Sequence, residues 1–385
     1  MATDVSSFRE AHATAVQSDL PDKAKLILGD REYRFKPVPY KLRYGTNPHQ
    51  PFRAYAPEFN PFPSLGALEV LKGGKDGLSL TNLQDMSQAW NILKYFPDKT
   101  PVVIMKHLNP CGFAEDEILE FHQKGTLAKT YRSAQSCDER SAFGGIVGFN
   151  NRVDVETAEA IMETFIEGVI APDYDCGAVE ILRRNEGTKK LNNSIRVVKA
   201  GNIDKIPKFV GDNVDGFYSL RTLVDGTLTV ETPYLTRIRS SADFIIDPSI
   251  TRADGQIYAA ETMPTVQQLE DCLTAWRITG NVRSNAIVFY KEGKAIAVGT
   301  GEQERVGAVE KAIDKAIKKG HSLEGAVMAS DGFFPKRDSI DLVAKHGVKA
   351  VVWPAGSKDD WSIIEAANEH KIALMATLER CFTHI

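Results

Sequence analysis

The hydrophobic pattern of the chain is clearest in one short apolar run that leads directly into reactive side chains. Residues 102–105 are continuously apolar and rich in β-branched side chains, which predicts a buried strand. Lys106 and His107 follow, and the sequence Asn-Pro-Cys-Gly then predicts a sharp break in the chain. Open α/β sheets carry reactive groups at the carboxyl ends of their strands. The pattern therefore predicts a site at Lys106 and His107, with a surface lysine beside a hydrogen-bonded histidine as the simpler alternative.

Helical periodicity flanks this strand and returns later in the chain. Apolar residues recur at helical spacing in 80–96 and 265–279, and residues 117–143 are predicted to form helical segments. A further amphipathic helix follows a loop that contains Gly299 and Gly301, with Val306, Val309, Ile313 and Ile317 on its predicted apolar stripe. A glycine-containing loop at a helix N-terminus is suited to binding an anion or an amide.

Strand patterns dominate the carboxyl half. Residues 285–299 alternate between apolar and polar positions and predict a hairpin that turns at Glu292-Gly293. From 326 onward, three strands alternate with two helices, which predicts a parallel sheet. The pattern of apolar residues is less regular from about Lys189 to Thr262. The chain thus divides into an N-terminal arm (1–40), a first α/β unit (41–188), a connecting insert (189–264) and a second α/β unit (265–385).

Composition narrows the class of protein. The 385 residues are 43% hydrophobic and 25% charged, which are ordinary globular values. A net charge of −4 argues against nucleic acid as a partner. No apolar run is long enough for a membrane span, and the N-terminus lacks the apolar core of a signal peptide. Five scattered cysteines without a Cys-x-x-Cys pair indicate a reducing compartment, and we expect a cytoplasmic protein.

Cysteine chemistry finds little support in the sequence. A zinc deaminase needs a histidine or cysteine ligand and a later Pro-Cys-x-x-Cys. Here His107 and Pro110-Cys111 share one turn, but Cys111 is followed by Gly-Phe-Ala and not by a second cysteine. No cysteine stands in an activating context for a nucleophile either.

Several polar residues outside the central turn are candidates for binding. Arg43 and Tyr44 lie in a loop and offer a planar cation and a hydroxyl for a phosphate. Paired glycines after Phe143 allow a ligand to approach the backbone closely, and Glu167 precedes a strand where it could accept ribose hydroxyls. A solvated turn or helix end is the alternative interpretation for each of these positions.

Seven stretches together carry a resemblance to a known family. In order along the chain they are LRYGTNPHQ, KHLNPCG, SAFGGIVGFN, EGVIAP, RSNAIVFYKEGKAIAVGTGEQER, SDGFFPKRD and LERCFTHI. With their spacing, they resemble the transformylase part of the AICAR transformylase/IMP cyclohydrolase family between Leu42 and His384. No cyclohydrolase motifs precede them, so the resemblance is to a stand-alone transformylase.

The resemblance implies a fold and a reaction. The fold would be two cytidine-deaminase-like three-layer α/β units, related by duplication and without zinc, in a homodimer with sites at the interface. The reaction would be that of a phosphoribosylaminoimidazolecarboxamide formyltransferase of de novo purine synthesis. It would transfer a formyl group from 10-formyltetrahydrofolate to the 5-amino group of AICAR, giving FAICAR, with no metal required. A separate IMP cyclohydrolase would act on the product.

The resemblance also implies roles for individual residues. Lys106 and His107 match the catalytic pair. An amine conjugated with a carboxamide is a poor nucleophile, so its proton must leave during attack, and the oxyanion that forms needs a donor. The remaining positions implied by the motifs are Arg43, Tyr44 and Arg380 for the phosphate, Phe143, Gly144 and Glu167 around the ribose, Asn285, Arg305 and Phe333 for the carboxamide and base, and Asp338 with Lys336 for the folate.

The chain departs from the family pattern at the formyl donor. The family usually has phenylalanine where this chain has Lys336, which could instead pair with the glutamate tail of the folate. Residues 220–232 also lack the paired glycines that usually precede Leu-Val. Two alternatives therefore stay open: a nucleotide-binding homologue that senses AICAR without turnover, and the same transfer from a folate-independent donor such as formyl phosphate.

Overall fold

The computed structural model describes residues 20–58, 64–116, 126–184 and 192–384. The chain is a mixed α/β protein that divides into two units, Met1–Ile206 and Pro207–Ile385. Of the predicted N-terminal arm, residues 1–19 lie outside the described part. The described part of the arm contains two strands, β1 (Ala24–Leu28) and β2 (Arg31–Pro37). With β3 (Tyr55–Pro57), which follows the arm, they form an antiparallel sheet of three strands. A turn at Gly29-Asp30 joins the first two strands.

A mixed sheet forms the centre of the first unit. Its strands are β4 (Glu69–Gly73), β5 (Val102–Lys106), β6 (Asn109–Ala114), β7 (Ile146–Phe149), β8 (Gly168–Ala171) and β9 (Arg196–Lys199). They pair in the order β6-β5-β7-β8-β9-β4. β5 is antiparallel to both neighbours, whereas β7, β8 and β9 are parallel. β9 lies within the stretch that the sequence assigned to the connecting insert.

Helices cover this sheet. They are α1 (Leu80–Leu93), α2 (Thr126–Cys137), α3 (Glu139–Ala142), α4 (Val155–Met162) and α5 (Cys176–Arg183), with a short 3₁₀ turn at Leu65–Ala67. α1 begins at a capping box in which Ser79 and Asn82 bond each other's backbone N–H groups. Its predicted apolar face is buried, including Met86 and Leu93. The predicted helical stretch 117–143 forms α2 and α3 in its described part, and residues 117–125 lie outside the described residues.

The structure corrects the predicted break after His107. The chain turns over two residues, His107 and Leu108, and then forms β6 directly, antiparallel to β5. Both turn residues have left-handed φ angles, 54° and 65°. Pro110 fits into β6 because it lies opposite Met105, where the strand register shifts, and proline is tolerated at such irregularities. Lys106 and His107 therefore lie at the tip of a hairpin and not at the end of a parallel strand.

The second unit has its own mixed sheet. Two small hairpins precede it, β10 (Ser219–Thr222) with β11 (Leu228–Glu231) and β12 (Ser249–Thr251) with β13 (Ile257–Ala259), along with a 3₁₀ turn at Ser241–Asp243. The sheet strands are β14 (Ile287–Lys291), β15 (Lys294–Gly299), β16 (Val327–Ser330), β17 (Ala350–Trp353) and β18 (Ala373–Ala376). They pair in the order β15-β14-β16-β17-β18, with the last three parallel. The predicted hairpin and the predicted parallel strands are confirmed.

Four helices pack in this second unit: α6 (Val266–Thr279), α7 (Arg305–Lys318), α8 (Asp338–Ala344) and α9 (Asp360–His370). On α7 the predicted apolar stripe is partly wrong, because Ile317 is 57% exposed whereas Ala316 is fully buried. The buried face includes Val309 and Ile313, as predicted, together with Ala308, Ala312 and Ala316. Small side chains let this helix lie close to the sheet.

The two units repeat one arrangement of elements. In each, a capped 14-residue helix (α1 or α6) precedes a central hairpin, and both hairpins have a register shift. In each, the first hairpin strand pairs antiparallel with a third strand, which continues in parallel to a fourth and a fifth. Gly112 of β6 and Gly299 of β15 also match, since a Cβ at either would overlap a carbonyl of the next long helix, at Ala134 or Ala308.

Two general features complete the description. Within the described ranges, no helix combines the length and the apolar character needed to cross a membrane. All five cysteines lie in those ranges, and no disulfide joins them.

Candidate active site

The Lys106 side chain is fixed against a glycine turn. Its Nζ atom donates a hydrogen bond to the Phe143 carbonyl at 2.6 Å. The next residue, Gly144, has a φ of 74°, which glycine adopts readily, and its N–H bonds the Phe165 carbonyl at 2.7 Å. The Phe143 ring is 53% exposed and packs 5.2 Å from the Phe165 ring. The hairpin tip and this turn therefore present an ammonium group beside open backbone.

His107 is exposed at the tip of the same hairpin, and its backbone is held from two sides. The buried Asp85 carboxylate of α1 accepts the Leu108 N–H at 2.7 Å, and the Asn109 side-chain amide donates to the His107 carbonyl at 3.1 Å. Burial raises the pKa of Asp85, while the Leu108 N–H and the nearby His107 side chain oppose that rise. An imidazole held here can exchange a proton with a bound molecule.

Glu167 lies in a polar cluster immediately before β8. Its Oε1 atom accepts hydrogen bonds from Arg196 Nη1 at 3.1 Å and from Asn82 Nδ2 at 3.2 Å. The Arg196 side chain is buried, and this burial lowers its pKa, whereas the Glu167 charge acts in the opposite direction. Glu167 keeps 36% of its side chain exposed, so its second oxygen can meet a ligand hydroxyl.

Arg43 and Tyr44 join the same cluster. Their loop is tied to the start of α1, because the Arg43 N–H bonds the Leu78 carbonyl and the Leu80 N–H bonds the Tyr44 carbonyl. The buried Arg43 guanidinium lies 4.7 Å from the centre of the Tyr44 ring, and its charge reaches Arg196. An arginine bonded to the carboxylate, with a second arginine within electrostatic reach of the first, suits an anion that also carries hydroxyl groups.

In the second unit, Asn285 and Arg305 flank the glycine loop. The Asn285 Nδ2 atom donates to the carbonyls of Glu302 at 2.8 Å and Gln303 at 3.1 Å, which leaves its Oδ1 atom to accept. Arg305 begins α7 and forms an ion pair with Asp331, and both side chains are buried. The buried Arg305–Asp331 ion pair thus lies at the start of the helix that follows the glycine loop.

The remaining predicted residues lie on two exposed segments of the second unit. Phe333 and Lys336 lie in the loop that follows β16, and Asp338 is the first residue of α8. The Asp338 carboxylate accepts the Ser339 N–H at 2.8 Å. Arg380 lies in the C-terminal segment, with its guanidinium 4.9 Å from the centre of the Phe382 ring. The same ring lies 5.8 Å from Arg305. Asn285, Arg305 and Arg380 are therefore brought to one region, and Phe333, Lys336 and Asp338 to the segment between β16 and the first residue of α8.

One further cluster has the residue types of a metal site. Asp341, Glu369 and His370 present ligand atoms close together. The Arg337 side chain already bonds the two carboxylates, and His370 Nε2 lies 2.8 Å from Asp341. Arg337 supplies the positive charge in this cluster.

Sequence reasoning did not single out Asn82, Asp85 and Arg196. Asn82 and Asp85 lie three residues apart on α1, at the spacing that places two side chains on one face of a helix. A search for polar residues on the otherwise apolar face of the helix would have found both. Arg196 stands in an apolar strand, where a charge needs a partner.

Comparison with known proteins gives a consistent result. A family model described as AICARFT/IMPCHase bienzyme matches residues 14–315, and so includes part of the N-terminal segment without recognised motifs. The bifunctional purine biosynthesis protein PurH of Persephonella marina is 38% identical over 90% of this chain and 60% of its own length. PurH of Caldicellulosiruptor saccharolyticus is 37% identical over 94% of this chain and 63% of its own length.

A solved structure also matches, over a shorter stretch. It is a diaminohydroxyphosphoribosylaminopyrimidine deaminase/5-amino-6-(5-phosphoribosylamino)uracil reductase from Thermotoga maritima, 26% identical over 26% of this chain and 32% of that chain, with a TM-score of 0.20, a value too low to indicate a shared fold. The chain spans about 60% of the length of the PurH relatives that it matches. The extent of the family match shows that this chain belongs to the AICARFT/IMPCHase bienzyme family.

Proposed function

We propose that this chain is an AICAR formyltransferase of purine synthesis that takes its formyl group from 10-formyltetrahydrofolate. One observation carries the proposal, namely that a single helix serves both parts of the candidate site. On α1, Asp85 bonds the turn that holds His107, and Asn82 bonds Glu167 beside Arg196. Proton-transfer groups and an anion-and-hydroxyl cluster thus share one rigid support.

The nucleotide part of the proposal follows from the charges. Arg43, with the Tyr44 hydroxyl, would bind the phosphate, together with Arg380. Glu167 would accept the ribose hydroxyls, since Arg196 keeps the carboxylate oriented. Gly144 and Phe143 would pack against the sugar, where the absence of a Cβ at Gly144 leaves the backbone open.

The catalytic part follows from the hairpin tip. His107 would accept the proton that the 5-amino group loses as its nitrogen attacks the formyl carbon. Lys106 would donate to the oxyanion that forms on the formyl oxygen, because the Phe143 carbonyl already aims its ammonium group. When the C–N bond to the folate breaks, the proton held by His107 can pass to the departing nitrogen.

Residues of the second unit would select the substrates. Asn285 has its amide hydrogens committed to backbone carbonyls, so its oxygen would accept from the carboxamide N–H₂. Arg305 and Phe333 would line the base. Asp338 would face the folate, and the exposed Lys336 would pair with the carboxylates of its glutamate tail.

The test is an assay with purified protein, AICAR and 10-formyltetrahydrofolate, following release of tetrahydrofolate. We expect turnover that His107→Ala abolishes and that His346→Ala, a change outside the candidate site, leaves intact. AICAR binding without turnover from any donor would contradict the proposal and favour a sensor. Turnover with formyl phosphate but not with the folate would contradict the donor assignment alone.

We also propose that the two α/β units are cytidine-deaminase-like and arose by duplication, with an arm over 1–40, a first unit that starts at 41 and extends past 188 to include β9, a second unit over 265–385, and an insert between them. The repeated strand order and the matching positions of Gly112 and Gly299 support this origin. If the two units arose by duplication, other family members should keep glycine at the positions of both Gly112 and Gly299. Replacement of either by a larger residue in active relatives would argue against it.

A homodimer is a further part of the proposal. In the β10–β11 hairpin, Leu220, Leu228 and Val230 share one face and are 42–51% exposed, while Arg221 on the other face bonds the His384 carbonyl. A two-stranded hairpin with an exposed apolar face gains stability when that face is covered. A second copy of the chain would cover it. We further propose a cytoplasmic location and an IMP cyclohydrolase activity that acts on the product.

A further inference from the structure

We propose that Asp85 is a positioning residue for His107, which it holds in place through the backbone of the next residue. The catalytic consequence rests on the proposed formyl transfer, but the structural claim does not. Asp85 does not touch the substrate in this proposal. It acts by fixing the His107–Leu108 turn, on which the direction of the imidazole depends.

The geometry of the turn shows why it needs support. His107 and Leu108 have φ angles of 54° and 65°, a region that residues with side chains rarely adopt twice in succession. Neither residue is glycine, so the turn does not hold this conformation by its own preference. Such backbone persists where surrounding contacts determine it. The Asp85 carboxylate supplies such a contact, at 2.7 Å from the Leu108 nitrogen.

The position of Asp85 suits it to this task. It lies in the second turn of α1, 9% exposed, on a helix whose start is fixed by its capping box. Its partner is 23 residues away in sequence, so the bond joins two separate elements and is not a local turn. A buried carboxylate without a hydrogen-bond donor would cost free energy. The Leu108 N–H supplies such a donor, so an aspartate can be accommodated on the inner face of the helix.

The charges around Asp85 agree with a shared role. His107 lies close enough to favour the ionised carboxylate, while Glu167, from the start of β8, disfavours it. Asp85 is therefore within electrostatic reach of both the proton-transfer residue and the hydroxyl-binding carboxylate. A change at Asp85 should move His107 without altering the Arg196–Glu167 pair, whose own bond to α1 comes from Asn82.

The experiment compares Asp85→Asn, which keeps an oxygen acceptor for the Leu108 N–H, with Asp85→Ala, which removes it. The first measurement is hydrogen–deuterium exchange of a peptide that covers 103–113. We expect exchange to be about tenfold faster or more in Asp85→Ala and near that of the original protein in Asp85→Asn. Unchanged exchange in Asp85→Ala would overturn the positioning role, whether or not the protein transfers formyl groups.

The second measurement separates kcat from KM for AICAR. We expect kcat to fall about 10- to 100-fold in Asp85→Ala with little change in KM, and Asp85→Asn to recover most of kcat. Equal losses of kcat in the two folded variants would overturn the proposal. If Asp85→Ala does not fold, Asp85→Asn decides the matter alone, and a large loss of kcat in that variant would overturn the proposal. The control is Asp154→Ala, which removes another carboxylate bond to a backbone N–H, at Thr157, far along the same unit.

Discussion

The ammonium group of Lys106 is bonded to the backbone carbonyl of Phe143, at 2.6 Å, across 37 residues of sequence. The bond restricts a flexible side chain to one direction before any ligand binds. Preorganised donors of this kind account for much of the rate enhancement in acyl transfer. Lys106 is therefore best tested by a change that removes the charge and keeps the aliphatic stem.

Lys106→Met should lower kcat for formyl transfer by about 100-fold or more, because it removes a donor to the oxyanion. KM for AICAR should change much less. Steady-state kinetics against both substrates measure the two effects. Lys345→Met, at an exposed position after α8, provides the control. A variant that raised KM and left kcat unchanged would show that Lys106 binds substrate without acting on the reaction.

Gly144→Ala should reduce both stability and kcat/KM. An alanine at a φ of 74° carries about 1–2 kcal/mol of backbone strain. Its Cβ would also lie 3.2 Å from the Phe165 ring and 3.9 Å from the Lys106 Nζ atom. Thermal unfolding and kinetics measure the two losses.

Gly255→Ala is the matched control for this change. Its φ is 87°, and a Cβ there would meet nothing within 4 Å, so it adds strain without a contact. We expect a similar loss of stability with normal activity. If both variants retained full kcat/KM, the space beside Gly144 would have no part in binding.

Arg305→Met should destabilise the second unit by about 3–5 kcal/mol, because it leaves the fully buried Asp331 carboxylate without its cation. The double variant Arg305→Met/Asp331→Leu should lose less, since it removes both charges. Urea unfolding followed by tryptophan fluorescence gives the comparison. A double variant as unstable as the sum of the two single changes would argue against coupling between the pair.

Asp173 predicts how stability depends on acid pH. The side chains of Lys199, at 2.7 Å, and Arg152, at 2.6 Å, help to lower the pKa of Asp173 to about 2. The folded-state pKa lies below the unfolded value, so this stabilisation is present above about pH 4 and is lost as the pH falls towards 2.

Asp173→Asn should therefore lower the free energy of unfolding at pH 7. We expect a decrease of less than about 1 kcal/mol, because Asp173 and its partners Arg152 and Lys199 are partly exposed and their charges are screened by solvent. The difference between variant and original protein should shrink as the pH falls below about 4 and should be small near pH 2. Unfolding curves at both pH values and at two salt concentrations measure it. An effect that persisted at pH 2 would show that the charge is not its source.

Leu228→Glu should weaken the proposed dimer, since it places a charge on the apolar face of the β10–β11 hairpin. Sedimentation velocity over a range of protein concentrations measures the equilibrium. Thr229→Glu, the next residue and on the opposite face, is the control and should leave the dimer intact. Dimerisation unaffected by both changes would place the interface elsewhere.

Periodicity in the sequence was enough to predict the main elements. The strand at 102–105, α1 and the hairpin at Glu292-Gly293 were all predicted from their apolar spacing and are present. β6 was not predicted, because Asn-Pro-Cys-Gly has the composition of a turn. The strand forms because the irregular pairing opposite Pro110 accommodates a residue that has no N–H.

The candidate site was predictable only where a residue stands in a recognisable motif. Asp85 and Arg196 do not, and their partners lie 23 and 29 residues away in sequence. A single charged residue in a helix or strand is normally solvated, so sequence alone gives no reason to pair it. Tertiary packing decides which charges are buried, and these two are.

The matching hairpins of the two units differ at their turns. In the second unit the turn is Glu292-Gly293, where glycine adopts the left-handed conformation without strain, whereas the first unit uses His107 and Leu108. The first turn is thus less stable than its counterpart by about 1–2 kcal/mol for the non-glycine residue at its second position. Selection for heat resistance would favour glycine at 108, and selection for turnover would retain leucine if Leu108 helps to orient His107. The trade-off between stability and activity would then lie in the choice of residue at position 108.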